Sequence, residues 1–337
     1  MHFKWTIVFW IFTTLLVEAQ EHPNPPEPRS QETVQTMLSG APRVSKNDMG
    51  KLHIVLLASA KDHGPHEHDY PLWQKNWSLL LGGEKSKSDA NQINMYGPPS
   101  DMDQSNVKDG AYNVTVESAW DWPTEEQFES ADIIVAFSVM PWSKNRNAEL
   151  KKYLNDGGGF VTIHMSCVVG DRTGLDDEVN DLIGLSWNWD ISRWRHGPMN
   201  LDIVNSNHPI CLGLPQQMFF LDEAYWPLFG DRTRVEILAT SKESTKNFAL
   251  RDDDGNIIFS NMEAIQQKWP EEPTKDEPIF WTYEYGQGRV FGSILGHYSW
   301  TFDDPFFRTL MLRGIAWAAG DSPYRFDPLI LRGSRVK

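Results

Sequence analysis

Four short apolar runs, at residues 52–58, 131–137, 160–163 and 289–295, limit what this chain can fold into. The first three are separated by stretches of helical character. Leu72, Trp73, Trp77, Leu79, Leu80 and Leu81 mark one helix, stopped by Gly82 and Gly83; residues 124–128 form a short one; residues 148–155 form a third, stopped by Gly157, Gly158 and Gly159. Strands that are apolar throughout, alternating with helices, predict a mostly parallel sheet covered on both faces. Residues 112–116 supply one more strand, and residues 84–112 read as a long polar loop. Past residue 200 the pattern changes to shorter strands at 200–204, 235–240 and 247–251, with a turn at 252–256 that lacks the acidic spacing of a calcium loop. Residues 278–295 predict a hairpin about Gly286-Gln287-Gly288, and residues 304–319 a closing helix ended by Gly320.

Five of the ten histidines sit just beyond these runs: His63, His66 and His68 after the first, His164 after the third, His297 after the fourth. Open α/β sheets bind ligands in the crevice beyond the carboxyl ends of their parallel strands. Three distant segments therefore aim imidazoles at one crevice. Histidine is the commonest metal ligand and is suited to proton transfer near neutral pH. The first loop adds Glu67 and Asp69, a composition that suits a metal; the alternative is a solvated loop whose histidines cap the backbone. It is not a His-Glu-x-x-His helix, so no zinc protease follows. His196 lies in a loop-like segment, Trp194-Arg195-His196-Gly197, whereas His53 and His208 read as structural. The pair Asp222-Glu223, ahead of Tyr225, offers a base or a ligand, or else starts a helix. Among 15 tryptophans, Trp187, Trp189 and Trp194 lie near His196, where indole faces stack on sugar rings or pack a core.

The formal net charge of −15 argues against a nucleic-acid binder. Lys4, the apolar stretch 5–17 and Val17-Glu18-Ala19 predict a cleaved export signal over residues 1–19, with an uncleaved anchor as the alternative. No later stretch is long and apolar enough to span a bilayer, so the mature protein is expected in the periplasm or outside the cell, off the membrane. Residues 20–50 read as a flexible Pro-rich tether, the fold as starting at Lys51, and residues 321–337 as an irregular tail. Cys167 and Cys211 either pair or pack, and a nucleophilic Cys167 would also need a base and an oxyanion hole.

In order along the chain, the His-bearing first loop, Gly157-Gly158-Gly159-Phe160-Val161-Thr162-Ile163-His164, His208-Pro209-Ile210 with Gly213-Leu214-Pro215, Asp222-Glu223-Ala224-Tyr225, Gly286-Gln287-Gly288-Arg289-Val290-Phe291 leading to Leu295-Gly296-His297, and Gly314-Ile315-Ala316-Trp317-Ala318 resemble the ThuA-like family, named for trehalose utilisation. The resemblance covers about residues 51–320. It implies a three-layer α/β fold of the class I glutamine amidotransferase-like, or flavodoxin-like, kind, with the hairpin and closing helix appended. His164 stands near the place of the amidotransferase nucleophile, which argues against amidotransferase chemistry. The resemblance further implies disaccharide or 3-keto-sugar catabolism, by metal-assisted elimination or isomerisation. The expected catalytic residues are His164, Glu223 and His297; Trp189, Trp194, Asp222 and Tyr225 are expected to face a small carbohydrate. His66, His68 and His196 are expected to hold a divalent metal, zinc or manganese, unless no cofactor is used. The rival readings are a non-catalytic carbohydrate-binding module and a scaffold for a partner protein.

Overall fold

The computed structural model describes residues 24–98, 109–170, 173–243 and 274–337. The expected export signal, the strand at 247–251 and the turn at 252–256 lie outside the described residues. Nine strands form one sheet in the order β2-β1-β3-β4-β9-β8-β7-β5-β6. Its first half is parallel: β1 (Leu52–Ala58), β3 (Ile133–Ala136), β4 (Gly159–Ile163) and β9 (Gly288–Ser293) match the four apolar runs, and β2 (Val114–Trp120) is the strand expected at 112–116, displaced by two to four residues. Residues of β1, β3 and β4 are almost wholly buried, as strands covered on both faces must be. The helices that cover them include α2 (Tyr70–Gly82), α3 (Glu125–Ser130) and α4 (Lys144–Asn155). Thr124 and Gln127 form a reciprocal capping box at the start of α3.

The second half of the sheet is antiparallel: β8 (Lys275–Tyr285), β7 (Glu236–Glu243), β5 (Arg193–Ile203) and β6 (Gln217–Trp226). Here the expectations need correcting. The segment of His196 is strand, not loop, and Asp222 and Glu223 lie within β6 rather than at a helix start. In the β5–β6 register His196 stands opposite Glu223. An unanticipated helix, α5 (Asp176–Ile183), carries Asp176, Asp177 and Glu178 in its first turn. After β9 come a short α6 (Ser299–Asp303) and the closing α7 (Pro305–Ala318).

The tether and tail expectations also fail over the described residues. Residues Gln31–Ser39 form α1, with Val34 and Met37 buried. Arg29 donates to the Asp304 carboxylate at 2.8 Å, and the Lys337 amide donates to the Arg29 carbonyl at 2.8 Å, so the two ends of the described chain clasp each other. The tail holds a 3₁₀ segment, Pro323–Leu329, whose Asp327 accepts both arms of the Arg313 fork at 2.9 Å. Cys167 and Cys211 are both free and buried, and burial pushes each thiol up to about 12, so neither pairs nor serves as a thiolate.

Helix α7 approaches the sheet closely because of Gly314, where a Cβ would sit 2.4 Å from the Phe291 ring. Overpacking costs typically 1–3 kcal/mol, against up to about 1 kcal/mol regained in helix propensity. Gly314→Ala is therefore expected to lower stability by about 1–2 kcal/mol. A denaturant midpoint at or above that of the unaltered chain would contradict this contact.

Candidate metal centre

Three of the parallel strands, β1, β4 and β9, each lead to one inward-facing imidazole. His164 directly follows β4 with φ 52°. His68 precedes α2 with φ 42°. After β9, Gly296 at φ 136° turns the chain so that His297 faces inward. Asp222 secures that turn: its carboxylate accepts from the Gly296 and His297 amides at 3.2 and 3.0 Å. Glu223 arrives from the antiparallel half. All four of His68, His164, Glu223 and His297 are buried, and one ligand atom from each lies within 4.8 Å of the others.

Hydrogen bonds on the far ring atoms fix the tautomers. His164 Nδ1 faces the Ile294 carbonyl at 2.7 Å, so that nitrogen carries the proton. His68 Nδ1 faces Asp62 Oδ1 at 3.0 Å and donates likewise. In the neutral rings both Nε2 atoms are bare, yet they stand 3.0 Å apart. Two lone pairs at that distance repel unless a cation or a proton lies between them. His164 Nε2 is also 3.0 Å from Glu223 Oε2, which is 2.9 Å from His297 Nδ1. Ligands held at about 2.0–2.1 Å from one ion stand about 3 Å from each other, so these spacings fit a divalent cation. Neither His297 nitrogen makes an aligned hydrogen bond although the ring is buried. An anchored far nitrogen on each ligating imidazole is the usual support of a metal site.

The electrostatics agree. Burial raises the Glu223 carboxyl, but His297, His196 and His164 outweigh it and hold it well below the usual range. Burial lowers His297, but Glu223 and Glu67 win and raise it to about 9. Burial, reinforced by His297, keeps His68 well below its ordinary value, and burial likewise lowers His196. Three histidines and one carboxylate are a donor set that suits zinc or manganese.

The family model for trehalose utilisation, ThuA, matches residues 73–318. The chain belongs to the ThuA family. Among solved structures, the ThuA domain is similar to a ThuA-like protein from Bacteroides uniformis, with 16% identity and a TM-score of 0.53 over 81% of this chain and 95% of that one. A ThuA-like protein from Parabacteroides merdae shows 18% identity and a TM-score of 0.48 over 81% and 92%. A search of the curated proteins finds no match. The ThuA fold is thus shown as a three-layer α/β arrangement whose sheet is mixed, and the family ties the chain to carbohydrate use.

Within the ThuA domain the expected residues divide differently from the sequence reading. His164, Glu223 and His297, expected as catalytic residues, converge with His68 into one buried group whose donor atoms could hold a metal ion. His66 does not join them. Its side chain is exposed with its ring 4.9 Å from Tyr96, and its carbonyl accepts from the Ser299 amide. His196 is adjacent, with Nε2 3.3 Å from Glu223 Oε1 and Nδ1 2.7 Å from the Tyr298 hydroxyl. Asp222 holds backbone and does not face a ligand space. Tyr225 is buried, with its hydroxyl 2.9 Å from His164 Nε2. Trp194 is half-buried with its ring 5.2 Å from that of His196. Trp189 is 54% exposed, its indole N–H pinned to the Val169 carbonyl at 2.7 Å. His63 and Glu67 were named only as part of the first loop, and Asp62 was given no role of its own. Asp62 Oδ1 lies 2.9 Å from His63 Nδ1 as well as bonding His68, and the His63 ring remains 42% exposed. Their clustering in the first loop was the available signal; which face each took was not.

Proposed function

We propose that this protein is an exported enzyme that acts on a keto-sugar glycoside through a divalent metal held by His68, His164, His297 and Glu223. The observation that carries this reading is the pair of bare Nε2 atoms facing each other at 3.0 Å beside a buried carboxylate. When bound, the metal supplies a Lewis acid for a sugar carbonyl. A 3-keto group acidifies the neighbouring C–H. His63 is exposed at the edge of the centre, with its ring 5.6 Å from that of His297, and Asp62 orients it through Nδ1. In this reading it takes that proton and returns it to the departing glycosidic oxygen, which completes an elimination. Asp62 also orients His68, so one carboxylate sets both the ligand and the base. The Ile294 carbonyl holds His164 in its tautomer.

Elemental analysis of the purified protein, with a 3-keto-glucoside assay, tests the reading. A stoichiometric divalent metal and consumption of the keto-glucoside are expected. Metal-free protein that leaves such sugars untouched after reloading with zinc and manganese would sink it.

Trp189 supports a second sugar ring in the same reading. From the Trp189 ring an unbroken aromatic series leads through Trp187, at 6.2 Å, and Tyr225, at 4.8 Å, to His164, at 4.6 Å. Its fixed outer face needs no ordering before a pyranose stacks on it. Trp189→Ala is expected to raise KM for a glycoside about tenfold, or about 1.4 kcal/mol, with kcat little changed. An unchanged KM would remove Trp189 from the substrate site.

A further inference from the structure

The ligating histidines differ in one respect. His68 and His164 each give the far ring nitrogen to a well-aligned acceptor, Asp62 at 3.0 Å and the Ile294 carbonyl at 2.7 Å. His297 does not: its Nε2 is 3.3 Å from Glu67 Oε1 but not aligned for a hydrogen bond. That nitrogen belongs instead to a second buried set, Glu67, His196 and His297, whose ligand atoms also lie within 4.8 Å of one another. His196 points Nε2 into this side, 3.3 Å from Glu223 Oε1, while the Tyr298 hydroxyl occupies its Nδ1 at 2.7 Å. Glu223 thus turns one oxygen to each set.

We propose that the chain holds a second divalent cation between Glu67, His196 and His297, joined to the first through the His297 imidazole. This rests on the reading of the first site as a metal centre. Coordination at both nitrogens removes the ring proton of His297, which passes to solvent. Asp62, Glu67 and Glu223 give the cluster the negative charge that two cations require, and Glu67 and Glu223 are both buried. The paired arrangement suits a substrate with two neighbouring oxygens, such as a ketone beside a hydroxyl on a sugar ring, with one oxygen for each cation.

The test is metal stoichiometry on the full chain, equilibrated with zinc and freed of loose ion. Two zinc ions per chain are expected in the unaltered protein and one in Glu67→Gln and His196→Gln. His63→Ala should keep two, although it dismantles the partly exposed set of Asp62, His63 and His68. One ion in the unaltered chain overturns the second cation and leaves the first; none removes both. Two ions in Glu67→Gln with one in His63→Ala would place the second ion in the outer set and also overturn the proposal. Cobalt loading needs no variant. Two bound cobalt ions with magnetic coupling support the imidazole link, and two uncoupled ions refute it.

Discussion

Glu223→Gln should empty the first metal site and lower turnover by about a thousandfold, the size expected when preorganised charge at a reacting centre is lost. The change keeps the shape of the side chain and removes its charge. Glu223 is the only carboxylate in the four-residue set of His68, His164, Glu223 and His297. It is buried, and the imidazoles around it hold it ionised despite that burial. An amide in its place offers a weak neutral oxygen, and a divalent ion would then sit in a buried site with no carboxylate among its four ligands. Metal content by elemental analysis and turnover on a keto-glucoside should fall together. Full metal with full turnover would show that Glu223 is not a ligand.

His63→Ala should separate binding from proton transfer. The ring lies outside the four-residue set and is partly exposed, so metal content is expected to hold. Turnover should fall by about 10²–10⁴-fold, the usual contribution of a positioned acid–base group. His63→Gln serves as a second variant, since it keeps a hydrogen-bonding group beside Asp62 without the proton capacity. Unchanged turnover in both would assign His63 to the surface. The comparison with Glu223→Gln matters most: one variant loses metal and chemistry, the other chemistry alone.

The parallel half of the sheet was legible because β1, β3 and β4 are buried almost throughout and α2 and α4 are followed by glycines. The convergence of His68, His164 and His297 followed from strand order alone, since all three segments leave the same edge. The antiparallel half was harder. β6 carries Asp222 and Glu223 in its middle, and adjacent carboxylates read as a helix start unless a partner strand is known to bury them. β5 was shortened for a similar reason, because Arg193, Arg195 and His196 interrupt its apolar pattern and all three are buried. Helix α1 was hidden by the proline-rich residues before it; its only deep contacts are Val34 and Met37. Within the first loop, spacing could not tell His66 from His68. Tertiary contacts decide it: the His66 side chain is exposed, while the amide of His68 docks on the His297 carbonyl at 3.0 Å and its ring is buried. Which of these side chains are buried is set by the assembled sheet and does not show in their spacing.

His164 occupies a left-handed backbone position that a residue with a side chain holds only at a cost of about 1–3 kcal/mol. Glycine would relax there. It would remove that backbone cost only by giving up the buried ring, its stacking on Tyr225 and its bond to the Ile294 carbonyl.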